Sequence, residues 1–153
     1  MKIIFVLAAF CLVLVSANLL VKDPDEISCT TDFSCNTDKY DVTNLALSFN
    51  PDPPEKGKNV TVTLTGTVKE TITDGEIQVV LKFDMFTLID ETYEACELAV
   101  KYGHGCPVLP GPMVLSDTFE VPSELPGGTY KGTMDGTDQD DNPMICGTVR
   151  CHV

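Results

Sequence analysis

The chain has 153 residues, and its 23 acidic side chains outnumber 10 basic ones, for a formal net charge of -13. That length sets a single domain, and 43% hydrophobic content excludes a disordered acidic tail. The acidic excess argues against nucleic acid as a partner, because phosphate binding needs clustered Lys and Arg.

The first predicted element is a leader. Met1-Lys2 is a short basic start, residues 3–15 are an almost unbroken apolar run, and Val15-Ser16-Ala17 ends in small residues. This is the layout of a signal peptide over residues 1–17, cleaved after Ala17 to leave one domain over 18–153. A membrane anchor fits less well. A span needs about 20 apolar residues, and Lys22, Asp23 and Asp25 follow soon after. Cleavage removes Cys11 and leaves Cys29, Cys35, Cys96, Cys106, Cys146 and Cys151. An even set in an exported chain points to a disulfide framework with several possible pairings. Asn59-Val60-Thr61 is a sequon, so Asn59 is the candidate glycosylation site, provided it sits on the surface.

Period-two alternation then dominates. Leu45, Leu47 and Phe49 alternate with polar or small residues, as do Val60, Val62 and Leu64. Ile77, Val79, Leu81 and Phe83 follow, and Phe86 and Leu88 extend the apolar run. Residues 115–121 read as another strand; Tyr130, Gly132 and Met134, then Ile145, Gly147 and Val149, complete the series. The windows are rich in Val, Thr, Ile and Phe, as half-buried strands are. Turns are predicted at residues 50–57, 73–75, 110–112 and 126–128, with an acidic loop over 135–143. The best helical window, residues 91–101, is short. About seven strands at regular spacing predict an all-β antiparallel sandwich.

The order of these features carries a resemblance. Asn50-Pro51-Asp52-Pro53-Pro54 leads to Gly57 and Val60-Thr61-Val62. Val80-Leu81-Lys82-Phe83 follows, then Cys96 and Cys106-Pro107-Val108, Pro126-Gly127-Gly128-Thr129-Tyr130, and an acidic turn running into Ile145-Cys146. This ordered set resembles the ML-domain lipid-recognition family over roughly residues 35–149. It is most similar to that family's phosphatidylglycerol/phosphatidylinositol transfer proteins, relatives of the Niemann-Pick type C sterol carrier.

The resemblance implies an immunoglobulin-like sandwich whose two sheets splay around a lipid cavity. It implies a short bridge between Cys96 and Cys106, and a second between Cys35 and Cys146. Cys29 and Cys151 depart from the family pattern and are expected to pair with each other. Exchange of partners, Cys29 with Cys146 and Cys35 with Cys151, is the alternative. The inward stripe would line the cavity: Leu47, Phe49, Val62, Leu64, Leu81, Phe83, Phe86, Leu88, Phe119, Val121, Tyr130 and Met134. Plain core packing is the competing reading for each of them. Residues 107–113 and 84–88 are the candidate mouth, with Lys82 and Lys101 as candidate phosphate partners. The expected ligand is a phospholipid or sterol, held by a monomer that touches membranes transiently in the secreted or endolysosomal space. The net charge predicts better docking on anionic membranes at acidic pH.

Catalysis finds little support. His104 and His152 lie in no spacing that suggests zinc or a nucleophile–base pair. Asp138, Asp140 and Asn142 alternate as in a calcium loop, but Pro143 and Val149 stand where that loop needs Gly and a bidentate Glu. No cofactor, metal or enzymatic reaction is therefore expected. The rival readings are a module that presents bound lipid to a partner protein, and a closed, disulfide-stapled scaffold.

Overall fold

A computed structural model describes residues 25–153. The expected leader lies outside the described residues. The strands are β1 (Ser28–Asp32), β2 (Val42–Asn50), β3 (Asn59–Val68), β4 (Gly75–Phe83), β5 (Phe86–Glu94), β6 (Gly111–Glu120), β7 (Thr129–Asp138) and β8 (Pro143–His152). One short helix, α1 (Ala95–Lys101), sits between β5 and β6.

Two antiparallel sheets form the sandwich, a five-stranded one in the order β1-β8-β7-β4-β5 and a three-stranded one in the order β2-β3-β6. Alternation places Leu47, Val62 and Leu64 on one inner wall, where Leu47 pairs with Leu64 and Phe49 with Val62. The facing wall carries Val79 beside Met134 and Phe83 beside Tyr130.

The structure departs from the sequence reading at four places. β1 is an additional strand. Its Ser-Cys-Thr-Thr-Asp sequence shows no apolar alternation, and pairing with β8, Cys29 opposite Cys151, holds it in place. Residues 91–94 are strand rather than helix, because Glu94, Tyr93, Thr92 and Glu91 pair with β4 from Glu76 to Val79. Pairing to a neighbour overrides helix propensity here, and α1 starts only at Ala95. β6 begins at Gly111, inside the expected turn. Pro112 is tolerated there because β6 is an edge strand. The acidic loop is shorter than expected: Asp135 and Asp138 belong to β7, and only residues 139–142 turn.

Disulfides join Cys29 to Cys151, Cys35 to Cys146 and Cys96 to Cys106. The first two tie the segment before β2 to β8, so the first and last parts of the described chain are braced together. Asn59 opens β3 with its side chain exposed.

The apolar core is divided. One cluster gathers Val42, Val68, Ile72, Ala95, Met144 and Ile145, and the other gathers Ile27, Val60 and Val121. Among the described residues the buried apolar core holds no aromatic ring and no leucine. A solid sandwich of this size closes its centre with such residues.

Candidate ligand cavity

Three apolar lobes occupy the space between the sheets. The first, about 110 Å³, is walled by Leu64, Val79, Met113, Leu115 and Met134, and closed by Ile72, Val108 and the Ala95, Leu98 and Ala99 face of α1. The middle lobe, about 190 Å³, lies among Leu47, Leu64, Val79, Gly132, Met134, Gly147 and Val149. The third, about 210 Å³, lies among Phe49, Val60, Phe119, Val121, Leu125 and Tyr130. The first two share Leu64, Val79 and Met134. The third continues along the same strands, since Phe49, Tyr130 and Cys151 each stand two residues from a wall residue of the middle lobe. Singly the lobes fall below the roughly 300–1,000 Å³ of small-molecule pockets.

The geometry has a local origin. Gly132 and Gly147 put no side chain on the inner face of β7 and β8. Phe33, from the segment after β1, turns inward over Gly147. A Cβ there would lie 2.4 Å from the ring, so only glycine permits this approach. Phe33 thereby walls the middle lobe beside β2 and β8.

The predicted stripe divides into three groups. Leu47, Phe49, Leu64, Phe119, Val121, Tyr130 and Met134 line one or more lobes. Val62, Leu81 and Phe83 sit on the inner faces and are half-buried without lining a lobe. Phe83 packs on Tyr130 with ring centroids 4.8 Å apart. Phe86 and Leu88 stand outside the cavity, 71% and 53% exposed. A register shift between Leu81 and Lys82 interrupts the alternation, and β5 is an edge strand with nothing packed over it.

The two segments read as one mouth stand at opposite ends. Val108 pairs with Ile72, just before β4, whereas residues 84–88 form the hairpin after β4. Lys82 points away from the cavity, being exposed between inner-face Leu81 and Phe83. Lys101 lies over the Tyr102 ring, 5.2 Å from its centroid.

Several wall residues were not predicted. Ile77 and Val79 share the alternation of Leu81, so period two alone identifies them. Ala95, Leu98 and Ala99 follow i, i+3, i+4 spacing, a helical face legible once the helix is placed. Ile72, Val108 and Phe33 come from irregular segments and carry no periodic signal.

One polar feature lies beside the first lobe. Asp41, next to wall residue Val42, is buried, and no hydrogen-bond donor faces its Oδ2. Burial raises its pKa, and the charges of Asp138 and Glu70 raise it further against the opposing effect of Lys69. Burial also pulls Asp138 upward, but N–H bonds from Asn142 and Asp140 to its carboxylate outweigh this and hold its pKa low. The two neighbouring carboxyls are thus pushed in opposite directions, Asp41 up and Asp138 down.

The fold and its interior define a cavity-bearing, disulfide-braced β-sandwich. The ML-domain profile matches residues 15–153, and the chain belongs to that family. Among its relatives is the phosphatidylglycerol/phosphatidylinositol transfer protein of Cryptococcus neoformans, 36% identical over 104 residues. That match covers 66% of this chain and 58% of the fungal protein, so the chain spans little more than half of its relative. A Dictyostelium discoideum relative named for the same transfer function is 32% identical over 109 residues, covering 71% of this chain and 75% of its own.

Among solved structures, chicken MD-1 complexed with lipid IVa superposes with a TM-score of 0.57 at 13% identity, covering 86% of this chain and 94% of MD-1. A Niemann-Pick type C2 protein from the Japanese carpenter ant gives 0.54 at 12% identity, covering 79% and 96%. At that identity the likeness concerns the fold.

Proposed function

We propose that the protein carries a phospholipid between membranes in the cavity between its sheets, without catalysis. The observation that carries this reading is the hollow centre, with apolar walls and no aromatic ring or leucine buried in it. Cavities of this kind cost stability when empty, so a fold that keeps one has a use for it.

The physics defines the task. Each methylene moved into water costs about 0.8 kcal/mol, so a diacyl lipid with about 30 of them faces a barrier on the order of 20 kcal/mol. Apolar walls remove much of that barrier during transit. The lobes as they stand suit a single chain better than two, so a diacyl ligand requires the sheets to spread further. The names of the fungal and Dictyostelium relatives support a phosphatidylglycerol or phosphatidylinositol ligand over a sterol. Three disulfides support an oxidising space, secreted or endolysosomal, reached through the leader over residues 1–17. Asn59, exposed at the start of β3, is available to a glycan there.

Transfer of a fluorescent phosphatidylinositol from donor to acceptor vesicles tests the reading. The wild type should accelerate it. Phe83→Asp and Tyr130→Asp should each slow it by at least about tenfold, because a carboxylate on the inner face must be desolvated beside the hydrocarbon. Equal rates with and without protein would refute the transfer function.

A further inference from the structure

A row of cations crosses the outside of the five-stranded sheet. Lys82 on β4 stands directly opposite Lys131 on β7, and Lys131 stands opposite Arg150 on β8. All three are exposed. Thr87 and Thr30 complete the row at the two edges, so no carboxylate enters it. Among the described residues no ion pair involves any of the three.

Like charges directly opposite one another destabilise a sheet. The chain has 23 acidic residues from which to supply a partner, yet it places three cations side by side. The nearest carboxylates are Asp90 and Asp32, one step away at opposite edges of the sheet, and Asp84, two residues beyond Lys82 beside Thr129. All three are engaged, Asp90 by Gln78 Nε2 at 2.7 Å, Asp32 by the Ser34 N–H at 2.8 Å and Asp84 by the Thr129 N–H at 3.1 Å.

The row ends beside an apolar tip. Met85, at the turn of the β4–β5 hairpin, is 91% exposed, with Phe86 and Leu88 behind it. Hydrogen bonds between Asp84 and Thr129 pin this hairpin to β7. The third lobe lies directly inside, behind Phe83 and Tyr130.

We propose that this face docks on an anionic bilayer, with Lys82, Lys131 and Arg150 on the lipid headgroups and the hairpin tip among the acyl chains. Charge complementarity selects the partner: the row attracts negative surfaces, and the tip needs hydrocarbon beside it. The overall negative charge does not prevent this, because charges more than about 8 Å apart are largely screened at physiological salt. The proposal rests on the carrier reading for its purpose, since it brings the third lobe to the membrane, but docking is measured separately from loading.

Sedimentation with phosphatidylcholine vesicles, with and without phosphatidylserine, tests it. The wild type should bind the serine-containing vesicles selectively and lose binding as salt rises. The triple variant Lys82→Gln, Lys131→Gln, Arg150→Gln should bind about 100-fold more weakly, at about fivefold per cation. Met85→Ser with Phe86→Ser should weaken binding without changing its salt dependence. Lys101→Gln, a cation away from the row, should leave it unchanged. The triple variant should melt no lower than the wild type, because it relieves repulsion. Binding that ignores phosphatidylserine, or that survives the triple change, would overturn the proposal. Lipid bound to the purified protein, read by native mass spectrometry, reports on the carrier reading alone. Selective docking without bound lipid would refute the carrier and leave the docking face standing.

Discussion

Asp41 and Asp138 are buried carboxyls, a setting that most carboxylates in this chain avoid, and their pKa values are pushed in opposite directions. Asp41 has a raised native pKa, so its contribution to stability is fully present below its unfolded value of 3.8 and is lost as pH rises through the native value. Asp138 has a lowered native pKa and contributes in the opposite sense, present above 3.8 and lost as pH falls through the lowered value. At neutral pH Asp41 is therefore a liability. Asp41→Asn keeps the shape and offers Asp138 a permanent donor. It should raise Tm by roughly 2–4 °C at pH 7, and the gain should shrink toward pH 4. Thermal melts at the two pH values decide the matter; a variant that melts lower at both would mean that the buried Asp41 carboxyl does not cost stability at neutral pH. The consequence reaches the cavity, because Asp41 adjoins Val42 on the wall of the first lobe.

Among the elements, α1 owes its place to its neighbours more than to itself. It has seven residues, and its N-cap Glu94 makes no side-chain cap hydrogen bond. The disulfide from Cys96 to Cys106 spans 10 residues of sequence and ties the helix to the segment before β6. Opening a loop that short should cost about 3 kcal/mol, against about 5 kcal/mol for a loop on the scale of the Cys29–Cys151 bridge. Cys96→Ala with Cys106→Ala should lose about 3 kcal/mol in urea denaturation and release bound lipid faster, because Leu98 and Ala99 no longer hold the end of the first lobe. Unchanged lipid release would separate the helix from the cavity.

The same elements show what could be read beforehand. β2, β3, β4 and β7 were legible because each is packed on one face, which imposes period two on Leu47, Val62, Val79 or Met134. β1 was not, since its hold comes from β8 and a disulfide rather than from apolar residues of its own. Phe86 and Leu88 were read inward because the alternation was carried through a hairpin where the register slips. The family resemblance supplied the hollow, which periodicity cannot show. Gly132 and Gly147 were visible in the alternation, yet the ring of Phe33 over Gly147 depends on a loop with no regular pattern.

At the scale of the whole molecule, two braced sheets surround three lobes instead of one continuous core. Charge is segregated on the outside, with a cationic row near the hairpin on a strongly acidic chain. In the proposed carrier the lobes receive the lipid, while the Cys29 and Cys35 disulfides hold β1 and the segment after it to β8. Cavity and docking face do different work and fail independently.

Met134 stands between the first and middle lobes, and its replacement tests the hollow most directly. Native mass spectrometry of the wild type purified from its own source should show the protein with a phospholipid bound. Met134→Trp adds bulk at the junction, and it should remain folded while losing most of that lipid. A wild type that emerges free of lipid, or a Met134→Trp variant loaded as fully as the wild type, would contradict the account.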